Sequence, residues 1–133
     1  MAVTTKEEMK NRTKKFALRV IRMSEALPRS LAGKVIGSQA LRSGTSVGAN
    51  YRAVCRARSE KDFVNKLGVV LEESDETAYW IELIVEANLL PPPKVTALLK
   101  EANELTAIFT ASHKTANLRL RRKNRKSEIE NRK

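Results

Sequence analysis

A chain of 133 residues is long enough for one domain with a single core, and its net charge of +11 at pH 7 is strongly basic. Apolar residues form 41% of the chain, which excludes wholesale disorder, and the single Cys55 excludes an internal disulfide. No uncharged apolar run approaches the ~18 residues of a membrane span, and the N-terminus lacks the apolar core of a secretory signal. We therefore expect a single-domain cytoplasmic protein that does not enter a membrane.

The positive charge is distributed unevenly along the chain. Residues 6–58 contain 13 Lys and Arg against 3 acidic residues, residues 59–118 contain 5 against 10, and residues 119–133 contain 8 against 2. Basic and acidic segments can partly neutralise each other within a bundle or between subunits. The excess of positive charge still favours a polyanionic partner.

The first two of four amphipathic segments are predicted over about residues 5–27 and 31–56. The first is expected to begin at Thr4, with Glu7 as its capping-box partner, and to end before Pro28. Ser30 is a good N-cap for the second, whose inward stripe is made of small side chains. The inward stripe of the first is Met9, Phe16, Val20, Met23 and Leu27.

The other two segments are predicted over about residues 60–87 and 93–118. Ser59 begins the third, and Asn88 with the triple proline 91–93 separates it from the fourth. Residues 119–133 have little apolar content, so we expect a basic, disordered C-terminal tail. Short loops between long helices force antiparallel neighbours, which predicts an all-α, up-down-up-down four-helix bundle over residues 1–118.

Glycines gather on one side of the second helix. Each should cost about 1 kcal/mol relative to alanine in a helix interior, so something is expected to pack very closely against them. The favoured interpretation is a neighbouring helix of the same chain, and the alternative is a subunit interface. These residues are Gly33, Gly37, Gly44 and Gly48.

Three polar residues of the second helix are expected to have structural roles. Ser43 and Asn50 lie on its inward stripe, and Ser46 lies between them. Buried polar groups need hydrogen-bond partners, and Glu73 or Glu76 on the third helix could supply acceptors.

No arrangement of residues indicates catalysis. His113 is the only histidine, so a multi-histidine metal site cannot form, and a nucleophilic pair with Cys55 is improbable. The acidic cluster at residues 72–76 lacks the Glu-x-x-His pairs of di-iron bundles, and no P-loop or Gly-x-Ser-x-Gly motif occurs. We expect a non-enzymatic protein without a metal or cofactor.

A basic surface is the main functional signal. Four cations of the first helix follow a 3/4/3 spacing and form a ridge beside the core stripe. Arginine forks match phosphate oxygens, so such surfaces bind nucleic acid mainly through its backbone. The candidate phosphate-binding residues are Arg12, Lys15, Arg19, Arg22, Arg42, Arg52, Arg56, Arg58, Arg119, Arg121 and Arg122.

The most specific segment of the chain is residues 39–53, which read QALRSGTSVGANYRA. Together with LPRS at 27–30 and with segments 58–63 and 71–77, it resembles the four-helix bundle proteins named after the 23S rRNA intervening sequences that encode some of them. The resemblance covers about residues 14–118 and implies a protomer that assembles into a ring-like homopentamer. A relative of that family, the accessory variability determinant of diversity-generating retroelements, binds nucleic acid and a reverse transcriptase.

The leading hypothesis is therefore a non-enzymatic, homo-oligomeric protein that binds nucleic acid, RNA rather than DNA. The alternative is a protein-interaction adaptor whose oligomer presents a surface to a partner enzyme such as a reverse transcriptase. In that case the basic ridge would face either an acidic patch on the partner protein or the acidic cluster at residues 72–76 of another subunit.

Overall fold

The computed structural model describes residues 5–132, which form four helices joined by short turns. α1 spans Lys6–Ala26, α2 Leu31–Cys55, α3 Glu60–Glu86 and α4 Pro92–Asn131. Helices adjacent in sequence pack against each other, and α4 returns beside α1, where the packing is sparsest. The predicted four-helix bundle is confirmed, and the described residues include no strand. None of these helices is both long enough and apolar enough to cross a membrane.

Side-chain hydrogen bonds fix the start of α1. The Glu8 backbone N–H donates to Thr5 Oγ1 at 3.0 Å, and the Thr5 backbone N–H donates to Glu8 Oε2 at 3.2 Å. This is a capping box, which satisfies two backbone donors that a helix start leaves without partners. The predicted cap Thr4 lies outside the described residues, so the box that the structure shows uses the next residue along.

The predicted caps of α2 and α3 are confirmed. Ser30 Oγ accepts a hydrogen bond from the Gly33 backbone N–H at 3.1 Å, and Ser59 Oγ accepts one from the Asp62 backbone N–H at 3.0 Å. Because both serines have extended backbone conformations, each helix begins with the geometry that an N-cap requires.

The turn between α3 and α4 closes with a Schellman motif. Asn88 has a φ of 56°, and the Leu89 backbone N–H donates to the Ile84 carbonyl at 3.0 Å. Pro91 is then the N-cap of α4, and prolines occupy its first two helical positions, where the missing N–H has no intrahelical role.

α4 extends further than the sequence predicted. Residues 119–133 were expected to form a disordered tail, but the helix continues through Asn131. The segment 119–131 contains no glycine or proline and is rich in arginine and lysine, which are good helix formers. Lys123 Nζ also lies 3.5 Å from Glu60 Oε2 of α3. At 40 residues, α4 is about 60 Å long, whereas α3, at 27 residues, is about 40 Å long.

The predicted apolar stripes meet in one aliphatic core between the four helices. Phe16, Val47, Ile81 and Leu105, one from each helix, have no solvent exposure. The five predicted core residues of α1 are all buried. The up-down-up-down order therefore brings the stripes together without leaving a second core.

Hydroxyl groups and backbone carbonyls, rather than carboxylates, are the hydrogen-bond partners of the polar residues on the inward faces of the helices. Thr77 Oγ1 donates to Ser43 Oγ at 2.9 Å, and the Asn50 amide donates to the Ser46 carbonyl at 2.8 Å. The expectation that Glu73 or Glu76 would be the partner of Ser43 or Asn50 is wrong. Every buried side-chain donor and acceptor within residues 5–132 has a partner.

The glycine stripe of α2 packs on α1 and on the turn that follows it. A Cβ atom at Gly44 would lie 2.7 Å from Val20 Cγ1, and one at Gly48 would lie 3.3 Å from Thr13 Oγ1. At Gly37 the nearest atom is Leu27 Cδ1, and at Gly33 a Cβ would overlap the carbonyl oxygen of Pro28. The intramolecular interpretation of the stripe is therefore confirmed.

Replacing Gly33 by alanine should destabilise the protein, because the added methyl group would meet a backbone oxygen that only a shift of the turn can relieve. We expect a loss of about 1–3 kcal/mol in the free energy of unfolding, measured by urea denaturation. Gly68→Ala is the matched control, since its Cβ would meet only the end of the His113 side chain at 3.3 Å. This control should be neutral or gain up to about 1 kcal/mol from helix propensity. Equal effects at the two positions would contradict the close packing.

Candidate nucleic-acid interface

Two carboxylates of α4 hold the half-buried Arg12 where α1 meets α4. Its Nε donates to Glu101 Oε2 at 2.9 Å, and its Nη2 donates to Glu101 Oε1 at 2.7 Å and to Glu104 Oε2 at 3.0 Å. The hydrogen bond to Glu101 raises the pKa of Arg12, and partial burial opposes that effect. The guanidinium that the sequence assigned to phosphate contacts is thus engaged across the sparsely packed contact between α1 and α4.

Arg42 is engaged in the same way between α2 and α3. Its Nη1 donates to Glu73 Oε2 at 3.2 Å, and its Nη2 contacts Glu76. The Trp80 indole N–H also donates to Glu76, at 3.0 Å, which helps to hold that carboxylate in place. The two glutamates proposed as partners for core amides and hydroxyls therefore neutralise an arginine instead.

The remainder of the α1 ridge has no carboxylate partner among the described residues. Lys15 and Arg22 are exposed and Arg19 is half-buried. Arg19 and Arg22 line a groove of about 350 Å³ between α1 and α4, and Lys94 lies on its opposite wall. The predicted ridge is therefore divided into one internally paired arginine and a cationic groove beyond it.

Arg52 belongs to a second cationic groove, which lies between α1 and α2. It lines a groove of about 230 Å³ with Lys10 and Lys14, and Gly48 and Ala49 also contribute to its wall. Lys10 is only loosely paired with Glu7, at 3.8 Å. Arg42 does not line this groove.

The largest group of cations lies at the end of the bundle that contains the turn between α2 and α3. Arg56 and Arg58 occupy the turn, and the contact between Lys123 and Glu60 brings the C-terminal part of α4 beside it. Residues 119–126 contain six further cations. We call this surface, made of Arg56, Arg58 and residues 119–126, the basic end.

The turn at the basic end is ordered by Asp62. Its carboxylate accepts hydrogen bonds from the Lys66 ammonium at 2.9 Å and from the Arg58 backbone N–H at 3.1 Å. These contacts, with Lys66 the larger cause, lower the pKa of Asp62. Asp62 thus neutralises Lys66 and leaves the side chain of Arg58 exposed.

The helical form of residues 119–126 determines where their charges point. At about 100° per residue, Arg119, Arg122 and Lys126 share a side with Lys123, which contacts α3. Arg121 and Arg125 lie on the opposite side, and all of these cations except Lys123 are without an ion pair among the described residues. A rod about 12 Å long with cations on two sides can contact phosphates on more than one strand.

Several cations at these surfaces were not among the sequence candidates. Lys10, Lys14 and Lys94 are brought to their grooves by packing between helices, for which the sequence has no local signal. Arg125 and Lys126 could have been found, because they continue the basic run of Arg119, Arg121 and Arg122. Within residues 5–132, no three His, Cys, Asp or Glu side chains are grouped closely enough to hold a metal ion.

A comparison with protein families matches residues 5–111 to the 23S rRNA-intervening sequence proteins. This chain belongs to that family. A solved structure of a protein of unknown function from the S23 ribosomal protein family of Bacteroides thetaiotaomicron is similar, with a TM-score of 0.73 and 32% sequence identity. The similarity covers 79% of this chain and 97% of the Bacteroides chain. No match is found among curated proteins.

The family match ends before the basic part of α4. Residues 112–131 of this family member lie outside the matched segment but continue the same helix. The bundle, with Arg12, Arg42 and the glycine stripe, is therefore within the family segment. The cations at residues 119–126 are an addition at its edge.

Replacing Arg12 by glutamine should destabilise the bundle, because Glu101, which is only 17% exposed, would lose both hydrogen bonds from its cation. We expect a loss of about 1–2 kcal/mol in urea denaturation. Lys15→Gln removes the same charge from an exposed position of the same helix and should change stability by less than about 0.5 kcal/mol. A loss as large for Lys15→Gln as for Arg12→Gln would show that the total charge, and not the ion pair, is responsible.

Proposed function

We propose that this protein binds RNA through phosphate contacts made by the basic end. The observation that carries the proposal is the ordered helix at residues 119–126, which places six cations beside Arg56 and Arg58. A preformed helix loses little conformational entropy on binding, in contrast with a disordered tail that must fold first. The bundle would then act as a rigid support that presents the cations.

The distribution of ion pairs supports this choice of surface. Arg12 and Arg42 are occupied by carboxylates, so a phosphate would have to displace Glu101 or Glu73 to reach them. At the basic end, a phosphate would compete with a carboxylate only at Lys123, which pairs with Glu60 among residues 5–132. Each phosphate that the cations of the basic end neutralise would release condensed counterions, and this release is the main source of sequence-independent affinity.

RNA is the first ligand to test because the family is described by its connection to 23S rRNA. The described surface offers little aromatic area for base stacking, so recognition through phosphates and helix shape fits better than recognition of single bases. The cationic groove of Arg19, Arg22 and Lys94 lies on α1 and α4 and would extend the contact on a longer RNA.

The affinity for a structured 23S rRNA fragment should fall steeply between about 50 and 200 mM salt, by roughly 10³-fold if about six phosphates are contacted. Arg121→Gln combined with Arg122→Gln should lower the salt slope, log Kd against log salt, by about 1.4–1.8. Fluorescence anisotropy measures both quantities.

The matched control is Arg12→Gln combined with Arg42→Gln, which removes the same net charge from positions that are paired with carboxylates of the same chain. Its salt slope should equal that of the original protein, at a temperature where circular dichroism shows that it is folded. An equal loss of slope in both double variants would mean that net charge alone attracts RNA. No binding at 50 mM salt would refute the proposal.

A second candidate is a protein-interaction adaptor, which the outer face of α3 favours. Glu72, Asp75, Glu82 and Glu86 are exposed on one side of this helix, around a Tyr79 that is 51% exposed. An exposed aromatic ring within a charged rim is typical of protein interfaces. The basic surfaces of α1 and α2 in another copy are complementary to it, which is consistent with the homopentamer that the family resemblance implies.

If the acidic face of α3 joins subunits, Asp75→Lys combined with Glu82→Lys should convert the oligomer to monomers, because like charges would then oppose each other at the interface. Sedimentation velocity gives the mass of the assembly. Glu128→Lys combined with Glu130→Lys makes the same change of charge near the end of α4 and should leave the mass unaltered. A monomeric unmodified protein would exclude this self-association, and a partner enzyme would then be the remaining adaptor target.

A further inference from the structure

A cavity of about 240 Å³ opens at the end of the bundle where α1 begins and α2 ends. All four helices contribute to its lining, which is mostly aromatic and aliphatic. It is open to solvent on one side, so a small molecule can enter it from the bulk. The apolar lining includes Met9, Tyr51, Val54, Phe63, Leu67 and Ile108.

We infer that this cavity binds a small aromatic molecule that carries an anionic group, with its rings among the apolar side chains and its anion at Lys6. This site is separate from the phosphate contacts of the proposed function and does not depend on them.

The size of the cavity restricts the ligand to one or two rings. An apolar cavity of about 150 Å³ accommodates benzene, and drug-sized ligands occupy roughly 300–1,000 Å³. A volume of about 240 Å³ lies between these limits. The buried Phe109 ring supports the half-buried Tyr51 ring, with centroids 5.8 Å apart and planes tilted by 43°, so Tyr51 is the ring of this pair that an aromatic guest can contact.

The interior suits an uncharged part of the ligand. Burial, and next the neighbouring Cys55, raise the pKa of Tyr51 to about 12, so its phenol is neutral at physiological pH. The Tyr51 hydroxyl and the Cys55 thiol can exchange hydrogen bonds with a polar ring substituent. Apolar contacts would otherwise dominate binding.

The mouth supplies the only cation of the lining. Lys6 is exposed and has no carboxylate within ion-pair distance among residues 5–132, and the exposed Ser112 lies across from it on α4. An anionic group at the mouth can therefore reach the Lys6 ammonium while it stays in contact with water. The location of the charge argues for an anion at one end of the ligand rather than along it.

Isothermal titration calorimetry of the full chain with 2-naphthalenesulfonate tests the inference, since this probe combines two fused rings with one anion. We expect saturable binding with a Kd of about 0.1–1 mM, which is ordinary for a ligand of this size. Ser112→Phe should abolish binding because the new ring would block the mouth. Ser127→Phe adds the same ring to an exposed position near the end of α4 and should leave Kd unchanged.

The charge of the ligand is tested separately. Lys6→Gln should weaken the binding of 2-naphthalenesulfonate by up to about five-fold, which is the limit for an exposed ion pair. The affinity for the uncharged 2-naphthalenemethanol should not change. Lys14→Gln on the same helix is the control and should alter neither affinity. Equal effects of Lys6→Gln on both probes would overturn the assignment of the anion to Lys6.

Cys55 reports where the probe binds. It is the only cysteine and it lines the cavity, so saturating 2-naphthalenesulfonate should slow its alkylation by iodoacetamide at least several-fold. The inference would be overturned by an unchanged alkylation rate or by an absence of saturable binding. It would also be overturned if the Ser112→Phe variant bound 2-naphthalenesulfonate with the Kd of the original protein.

Discussion

The close approach of α1 to the glycine side of α2 is the constraint on which the rest of the molecule depends. Val20 and Thr13 occupy the space that side chains at Gly44 and Gly48 would fill. With α1 held so close to α2, its opposite side faces α4 across a sparsely packed gap. Arg12 spans that gap to Glu101, so an ion pair joins the two helices where apolar packing contributes least.

This arrangement determines how the positive charge is distributed. The acidic middle segment of the chain supplies partners for Arg12 and Arg42, and those partners lie on α3 and α4. The basic run at residues 119–126 lies beyond Glu101 and Glu104 of α4, and only Lys123 pairs with a carboxylate among the described residues. The basic end is therefore a dense group of cations that a polyanion can reach without displacing the carboxylates that pair with Arg12 and Arg42.

Local sequence signals were sufficient to predict most of the fold. Ser30, Ser59 and Asn88 mark helix boundaries through hydrogen bonds and backbone geometry that act within a few residues. The apolar stripes and the glycine side of α2 follow from helical periodicity alone. The length of α4 was not predicted, because the low hydrophobicity of residues 119–133 indicates disorder only when helix propensity is ignored. These residues include many good helix formers, and Lys123 contacts α3.

The site was harder to predict because it depends on distances between helices. Whether an arginine meets a carboxylate or solvent is decided by the rotation and stagger of two helices, and a difference of one residue turns a side chain by about 100°. Arg12 and Arg22 therefore looked equivalent in the sequence, yet Arg12 contacts Glu101 and Arg22 lines an open groove. Lys94 and Arg19 likewise line one groove because of the way α1 and α4 are rotated against each other.

Intramolecular ion pairs engage Arg12 and Arg42, whereas the arginines of the basic end have no carboxylate partner among residues 5–132, and the proposed RNA binding rests on this difference. The most direct measurement is an NMR titration of the arginine Nε–H resonances of the ¹⁵N-labelled protein with a structured RNA. At low RNA concentration, we expect the Nε–H resonances of the basic end to shift while those of Arg12 and Arg42 stay in place. The resonances expected to shift are those of Arg56, Arg58, Arg119, Arg121 and Arg122. Early shifts of Arg12 and Arg42, with those of the basic end unchanged, would contradict this expectation.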